Sequence, residues 1–289
     1  MIPPDLVEEV VINILRTAVT SLPSDVISAL ERAEAQETDD IARTQLRTIM
    51  ENVRCAEGTS VPMCQDTGVP LFFVSGSCDA DLEKAIRRGV SRATMEVPLR
   101  PNAVHPLTRK NAGDNLGIDM PYIHYSPGPS GFVDITVMPK GAGSENMSAL
   151  RMLTPAEGMK GIKSFVLDTV VSAGGRPCPP TIVGLGIGGS SDIAMGLAKR
   201  ALLRPLDVRN PYPELQTLEE ELLEAINQTG IGPMGLGGRT TSLGVRVDLA
   251  YCHTASLPVA VNIQCWSARR ASARIFLDSR VVYSKEGFW

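Results

Sequence analysis

Aromatic residues are scarce in this chain, histidine is scarcer, and positive charge never gathers into a block. Phe, Trp and Tyr make up 4% of the 289 residues, so the core has to be built from Val, Leu, Ile, Ala and Met. The 28 Lys and Arg are outnumbered by 32 Asp and Glu, giving a formal net charge of -4. Phosphate binding needs a clustered basic footprint, so nucleic acid is excluded as the main partner, and an anionic substrate has to be met by a few placed arginines. No apolar run approaches the roughly 20 residues of a membrane span. The opening MIPPDLVEEV is acidic and amphipathic, unlike a secretory leader. A cytoplasmic protein without a membrane partner is expected. Six cysteines in a chain of this length suit free thiols or metal ligands better than a disulfide framework.

What is present is a mixed pattern. Apolar residues at helical spacing run through 5–57, broken at Leu22-Pro23-Ser24, with Cys55 expected in the core. Val69 to Val74 reads as a buried strand. Cys78 falls in the Gly76-Ser77-Cys78-Asp79 turn, and a helix is expected from about Asp81 to Thr94. Residues 111–131 are mostly turn formers around an apolar patch at Pro121 to Tyr125, followed by a strand in which Val133, Ile135 and Val137 alternate with polar neighbours. Thr154-Pro155-Ala156-Glu157 has the composition of a helix start, and that helix runs to about Ser172. A strand from Thr181, a glycine turn at Ile187 to Asp192 and a helix to about Leu203 follow. Residues 214–227 form an acidic helix with Glu219-Glu220-Glu221 on a solvated face, 230–244 a glycine-rich loop, and 245–250, 257–263 and 273–277 strands. The fold class is mixed α/β: an N-terminal helical layer followed by mixed sheets flanked by helices, with the cysteine loops converging at one edge. Residues 1–289 are read as one catalytic domain, 1–58 being a helical layer of the same unit.

The chemistry concentrates in loops. Met63-Cys64-Gln65-Asp66-Thr67-Gly68 sets a thiolate ligand beside an amide, a carboxylate and a turn glycine, and Cys178 and Cys265 lie in two further stretches of the same character. Their wide separation excludes a local zinc knuckle. Three thiolates suit a cluster that leaves one iron open to a substrate hydroxyl and carboxylate, the alternative being buried cysteines without a ligand. Arg100, between Pro98 and Pro101, has a stiff backbone from which a guanidinium can take a carboxylate, or is a surface arginine in a turn. Lys140 to Asn146 suits an anion, or is a solvated hairpin turn. The Gly184-x-Gly186-x-Gly188-Gly189 stretch resembles dinucleotide-binding grammar without matching its spacing. Two other readings follow, a nucleotide-binding protein and a non-catalytic cluster protein.

The stretches Cys64 to Gly68, Pro98 to Asn102, Lys140 to Asn146, Cys178-Pro179-Pro180, His253 to Pro258 and Cys265 to Ala268 resemble class I iron-sulfur hydro-lyases over nearly the whole chain. The resemblance is to the alpha subunits of fumarate hydratases, with the L-tartrate dehydratase alpha subunits as close relatives. It implies a 4Fe-4S cluster on Cys64, Cys178 and Cys265. It also implies substrate contacts from Gln65, Arg100 and Gly143 and acid-base groups at Asp66 and His253. The implied substrate is a small dicarboxylate, fumarate or malate. With no beta-type domain before Trp289, a separate beta subunit and an alpha-beta hetero-oligomer are expected.

Overall fold

The computed structural model describes residues 2–76 and 80–288, with Ala80 described by its backbone. Cys78 lies outside the described residues. In chain order the elements are α1 (Pro4–Thr20), α2 (Ser24–Gln36), α3 (Asp40–Thr59), β1 (Val69–Gly76), α4 (Ala80–Glu96), β2 (Tyr122–Ser126), β3 (Phe132–Lys140), the single turn α5 (Ala142–Glu145), β4 (Ala149–Leu153), α6 (Gly158–Ala173), β5 (Thr181–Gly188), α7 (Ser191–Ala201), α8 (Pro213–Asn227), β6 (Ser242–Ala250), β7 (Leu257–Gln264), β8 (Ala271–Phe276) and β9 (Val281–Ser284). The chain divides into two compact units, the first made of Met1–Ser24, Glu51–Ala142 and Arg269–Trp289, the second of Asp25–Met50 and Gly143–Ala268. The N-terminal helices are shared between the units, and the division falls inside α3.

The first unit carries a five-stranded mixed sheet in the order β2-β1-β3-β8-β9, in which β1 and β2 run parallel and the other neighbours antiparallel. Helix α1 opens with proline in its first turn and Asp5 at its positive end. Its Val11, Ile14 and Leu15 share one buried cluster with Ile86 and Val90 of α4 and with Phe72, Ile135, Val137 and Ala273 of the sheet. The two helices meet closely at Gly89, where a Cβ would stand 2.7 Å from Val11 Cβ. The stretch Pro4–Gln36 is long and apolar enough by composition to cross a membrane, but 72% of its most apolar window is buried inside the protein, as expected of core helices.

The second unit carries a four-stranded mixed sheet in the order β4-β7-β5-β6, with β5 and β6 parallel and the other pairs antiparallel. On one face Val183 and Leu185 of β5 pack with Phe165 and Val166 of α6 and Leu218 and Leu222 of α8. The other face receives α7 almost backbone to backbone. A Cβ at Gly184 would lie 2.1 Å from the carbonyl oxygen of Ala198, and one at Gly186 would lie 2.0 Å from that of Ala194. The alternating glycines of β5 therefore seat a helix on a strand. The positive end of α7 is met by its own Asp192, held by the hydroxyl of Ser190. That hydrogen bond, foremost among several, holds the Asp192 carboxyl below the usual carboxylate range.

Several expectations need correction. Cys55 is exposed, because the buried stripe of α3 passes through Leu46, Ile49, Met50, Val53 and Ala56 and leaves position 55 outside it. Thr154 and Glu157 do pair, the Thr154 N–H and hydroxyl donating to the carboxylate at 2.7 and 2.9 Å. They nevertheless form a turn, and α6 begins at Gly158, whose φ of +48° breaks helical continuity from the turn. The apolar patch at Pro121 to Tyr125 contains β2, where His124 stacks on Phe73 of β1 at 4.6 Å. Glu219 is 5% exposed rather than solvated. Its carboxylate accepts hydrogen bonds from Arg204, Arg246, Asn210 Nδ2 and the Val247 N–H. Lys140 and Ser144 are also buried, so the stretch from Lys140 to Asn146 is no solvated hairpin.

Candidate functional site

In the first unit the site residues read from sequence are Cys64, Gln65, Asp66 and Arg100. The approach to Cys64 is pinned at Met63, whose N–H donates to the Val19 carbonyl at 2.9 Å and whose carbonyl accepts Asn52 Nδ2 at 2.8 Å. Cys64 is half-buried and Gln65 exposed. Asp66 is fastened on several sides. Its Oδ1 accepts the Gly68 N–H at 3.0 Å and Asn102 Nδ2 at 3.2 Å, and its Oδ2 accepts the Ala142 N–H at 2.8 Å. Its backbone carbonyl accepts Nη1 of the buried Arg269 at 2.8 Å. Position 141 must be small for this to happen, since a Cβ there would stand 3.2 Å from Asp66 Oδ2 and 3.4 Å from Arg269 Nη2. Three of the roughly four acceptor sites of a carboxylate are thus taken by N–H donors, so Asp66 knits together the loops that carry Cys64, Arg100 and Gly141.

Arg100 presents an exposed side chain from a fixed backbone. Its N–H donates to Thr67 Oγ1 at 3.0 Å and its carbonyl accepts Asn115 Nδ2 at 3.1 Å. Asn115 is 1% exposed. Asn102, Asn115, Thr67 and Arg269 were not singled out from the sequence. The Pro98 to Pro101 frame pointed to a stiff turn, but nothing in the sequence indicated which side chains hold it.

In the second unit three of the remaining residues gather at one end of the sheet. Cys178 lies just before β5 and Cys265 just after β7, and the register pairs Ile182 with Gln264. The Trp266 N–H donates to the Cys178 carbonyl at 3.1 Å. Cys178 has a φ of +55° and is followed by a cis Pro179-Pro180 bond. Gly143, in α5 ahead of the same end of β4, comes beside this loop, a Cβ there standing 3.5 Å from the Arg176 carbonyl oxygen.

His253 is elsewhere. It lies between the end of β6 and the start of β7, at the opposite end of the sheet from Cys265. The eight residues of β7 separate the two, a span of about 25 Å at roughly 3.4 Å per residue. Its Nδ1 accepts the Ala255 N–H at 3.1 Å, so a neutral ring carries its proton on Nε2 and presents it outward.

The described cysteines are thiols and none is in a disulfide. Among the described residues no three His, Cys, Asp or Glu side chains stand together as a metal-holding set, so the full convergence of the cysteine loops is not observed. The surroundings of Cys265 do fit a bound sulfur-rich group. Ser267 Oγ and Gln264 Oε1, on either side of it, are buried without a hydrogen-bond partner. Such orphan atoms cost about 1–3 kcal/mol each, and a group that accepts from the serine hydroxyl would remove one of those costs.

Comparison with known proteins finds relatives over almost the whole chain. A family model described as "Fumarate hydratase (Fumerase)" matches residues 8–274. The chain is 50% identical over 283 residues to a Methanocaldococcus jannaschii protein provisionally named L(+)-tartrate dehydratase subunit alpha, covering 95% of this chain and 99% of that one. It is 33% identical over 275 residues to the L(+)-tartrate dehydratase subunit alpha of Escherichia coli K12, covering 93% and 91%. It is also 36% identical over 269 residues to a Geobacillus stearothermophilus protein provisionally named fumarate hydratase class I, covering 89% of this chain and 52% of that one. With a match across almost its whole length, the chain belongs to the fumarate hydratase family of hydro-lyases.

Proposed function

We propose that this chain is the alpha subunit of a 4Fe-4S hydro-lyase that interconverts fumarate and L-malate, with Cys64, Cys178 and Cys265 as the cluster ligands. The observation that carries the reading is the gathering of Gly143, Cys178 and Cys265 at one end of the second sheet beside the orphan Ser267 hydroxyl. When bound, such a cluster supplies a Lewis acid at an iron the protein leaves open.

The chain's own residues do the rest. Arg100 takes a substrate carboxylate and stabilises the charge that accumulates on it as the neighbouring C–H proton leaves. The exposed Gln65 donates its amide to the same substrate, and the backbone of Gly143 allows close approach. Asp66 keeps these loops in register and offers its remaining Oδ2 acceptor direction to a proton. His253 holds a proton at Nε2. Because it sits at the far end of its own sheet, it serves the site of a second copy of this chain.

The partner is a separate beta subunit in an alpha-beta hetero-oligomer, a reading supported by the words "subunit alpha" in the names of the relatives. The Geobacillus relative, about half of which lies outside the match, supports it too. A cytoplasmic location goes with it. L-tartrate is the second substrate reading, favoured by the names of the relatives matched over nearly their full length.

The test is anaerobic co-purification with the beta subunit, iron and sulfide quantitation, and parallel assays on fumarate and L-tartrate. A brown complex that hydrates fumarate and loses its iron in Cys64→Ser, Cys178→Ser and Cys265→Ser is expected. Turnover of L-tartrate alone would move the assignment to the second substrate. A protein that stays colourless after anaerobic reconstitution would overturn the cluster.

A further inference from the structure

We infer that Asn115 and Thr67 are positioning residues that clamp the Arg100 peptide and thereby aim its guanidinium at the substrate carboxylate. The inference rests on the proposed role of Arg100 and deepens it. Asn115 uses its whole amide for this. Nδ2 donates to the Arg100 carbonyl and to Thr94 Oγ1, both at 3.1 Å. Oδ1 accepts the N–H of Asn102 at 2.7 Å and of Ala103 at 3.3 Å. One buried side chain thus holds the backbone from Arg100 to Ala103. From the other side Thr67, 4% exposed, accepts the Arg100 N–H at 3.0 Å and can return its hydroxyl to the Arg100 carbonyl at 3.4 Å.

Both polar groups of the Arg100 main chain are therefore captured by side chains, at the one residue of this turn whose own side chain points into solvent as a cation. A packing role alone would be met by any residue filling the volume. Here the backbone of Asn115 adds a second requirement, since its φ of +60° favours Asn or Asp over other side chains. The turn-rich stretch 111–121 thereby acquires a purpose. It delivers an amide to the back of the substrate arginine.

The experiment is a double-mutant cycle in the cluster-loaded complex with its beta subunit. Asn115→Asp keeps the shape, the left-handed tolerance and the acceptor, and deletes the bond to the Arg100 carbonyl. Thr67→Val removes the hydroxyl from the other side and serves if the first variant folds poorly. Each is combined with Arg100→Lys, and KM and kcat for fumarate are read with the inhibition constant for succinate, an unreactive dicarboxylate. A displaced binding group costs between roughly tenfold and a hundredfold. Each clamp variant is expected to raise KM and the succinate constant by at least about tenfold, with iron content unchanged, and that effect is expected to vanish in the Arg100→Lys background. Full additivity, or no change in either constant while Arg100→Lys weakens binding, would overturn the clamp and leave the function standing. If Arg100→Lys itself leaves both constants unchanged, the role of Arg100 fails and the inference falls with it.

Discussion

The main-chain N–H of Trp266 donates to the carbonyl of Cys178 across 3.1 Å. That bond joins two loops far apart in sequence, one leading into β5 and one leaving β7, and makes the positions of two thiols depend on each other. The backbone at Cys178 is left-handed, a conformation that L side chains enter at a cost, and the bond to Trp266 is part of what holds it there.

The proposed service of His253 to a second copy predicts complementation between chains. Complexes assembled separately from His253→Ala and Cys265→Ser chains should each be inactive. Mixing the two alpha chains during reassembly should restore part of the activity, because some sites then draw an intact cysteine loop and an intact histidine from different copies. Assay of the reassembled mixture against each parent checks this, and a mixture no more active than its parents would return His253 to its own chain.

The strand glycines predict a stability contrast. Gly186→Ala puts a methyl group where the Ala194 carbonyl oxygen stands 2.0 Å away, and moving a helix backbone costs about 3 kcal/mol, the upper part of the range for overpacking. Gly196→Ala lies in the same helix with nothing within 4 Å of the new carbon, and should be neutral or gain up to about 1 kcal/mol of helix propensity. Urea midpoints of the two variants compared with the parent should move in these directions.

Glu219 and Glu220 are neighbours with opposite expectations. Glu219→Ala strips a buried carboxylate from Arg204, Asn210 and the Val247 N–H, a loss of about 3–5 kcal/mol when one member of a buried pair is removed. Glu220→Ala, on the exposed side of α8, should stay within about 0.5 kcal/mol of the parent. Chemical denaturation of both variants checks the difference.

Glu157 gives a pH signature. The Thr154 N–H, then its hydroxyl, hold the Glu157 carboxyl below the usual range for glutamate. A folded value below the unfolded one means that the pair's contribution is fully present above the unfolded value and is lost as pH falls through the folded one. Titration of the Glu157 carboxyl by NMR should place its midpoint lower in the parent than in Thr154→Val, and equal midpoints would refute the assignment.

Much of the fold was legible because burial there is one-sided. The stripes of α1 and the alternation of Val133, Ile135 and Val137 record which face meets the core. Strand β4 was not legible, since Leu150, Arg151 and Met152 are all exposed and no alternation survives. Glu219 was misread because its partners, Arg204 and Arg246, arrive from other elements. In the candidate site, the side chains proposed to carry chemistry were read from the composition of their loops, whereas the residues that hold those loops could not be. An asparagine among turn formers looks the same whether it caps a loop or grips the arginine turn, and no periodicity places His253 at one end of β7 and Cys265 at the other.

The proposed borrowing of His253 by a second copy sets a lower limit on the working particle. If each site borrows its histidine, one alpha chain with one beta chain is a structural half, and the smallest assembly able to turn over holds two copies of this chain. Specific activity should then depend on enzyme concentration, falling on dilution as the alpha chains part company and recovering on concentration, while the iron content of each chain stays the same.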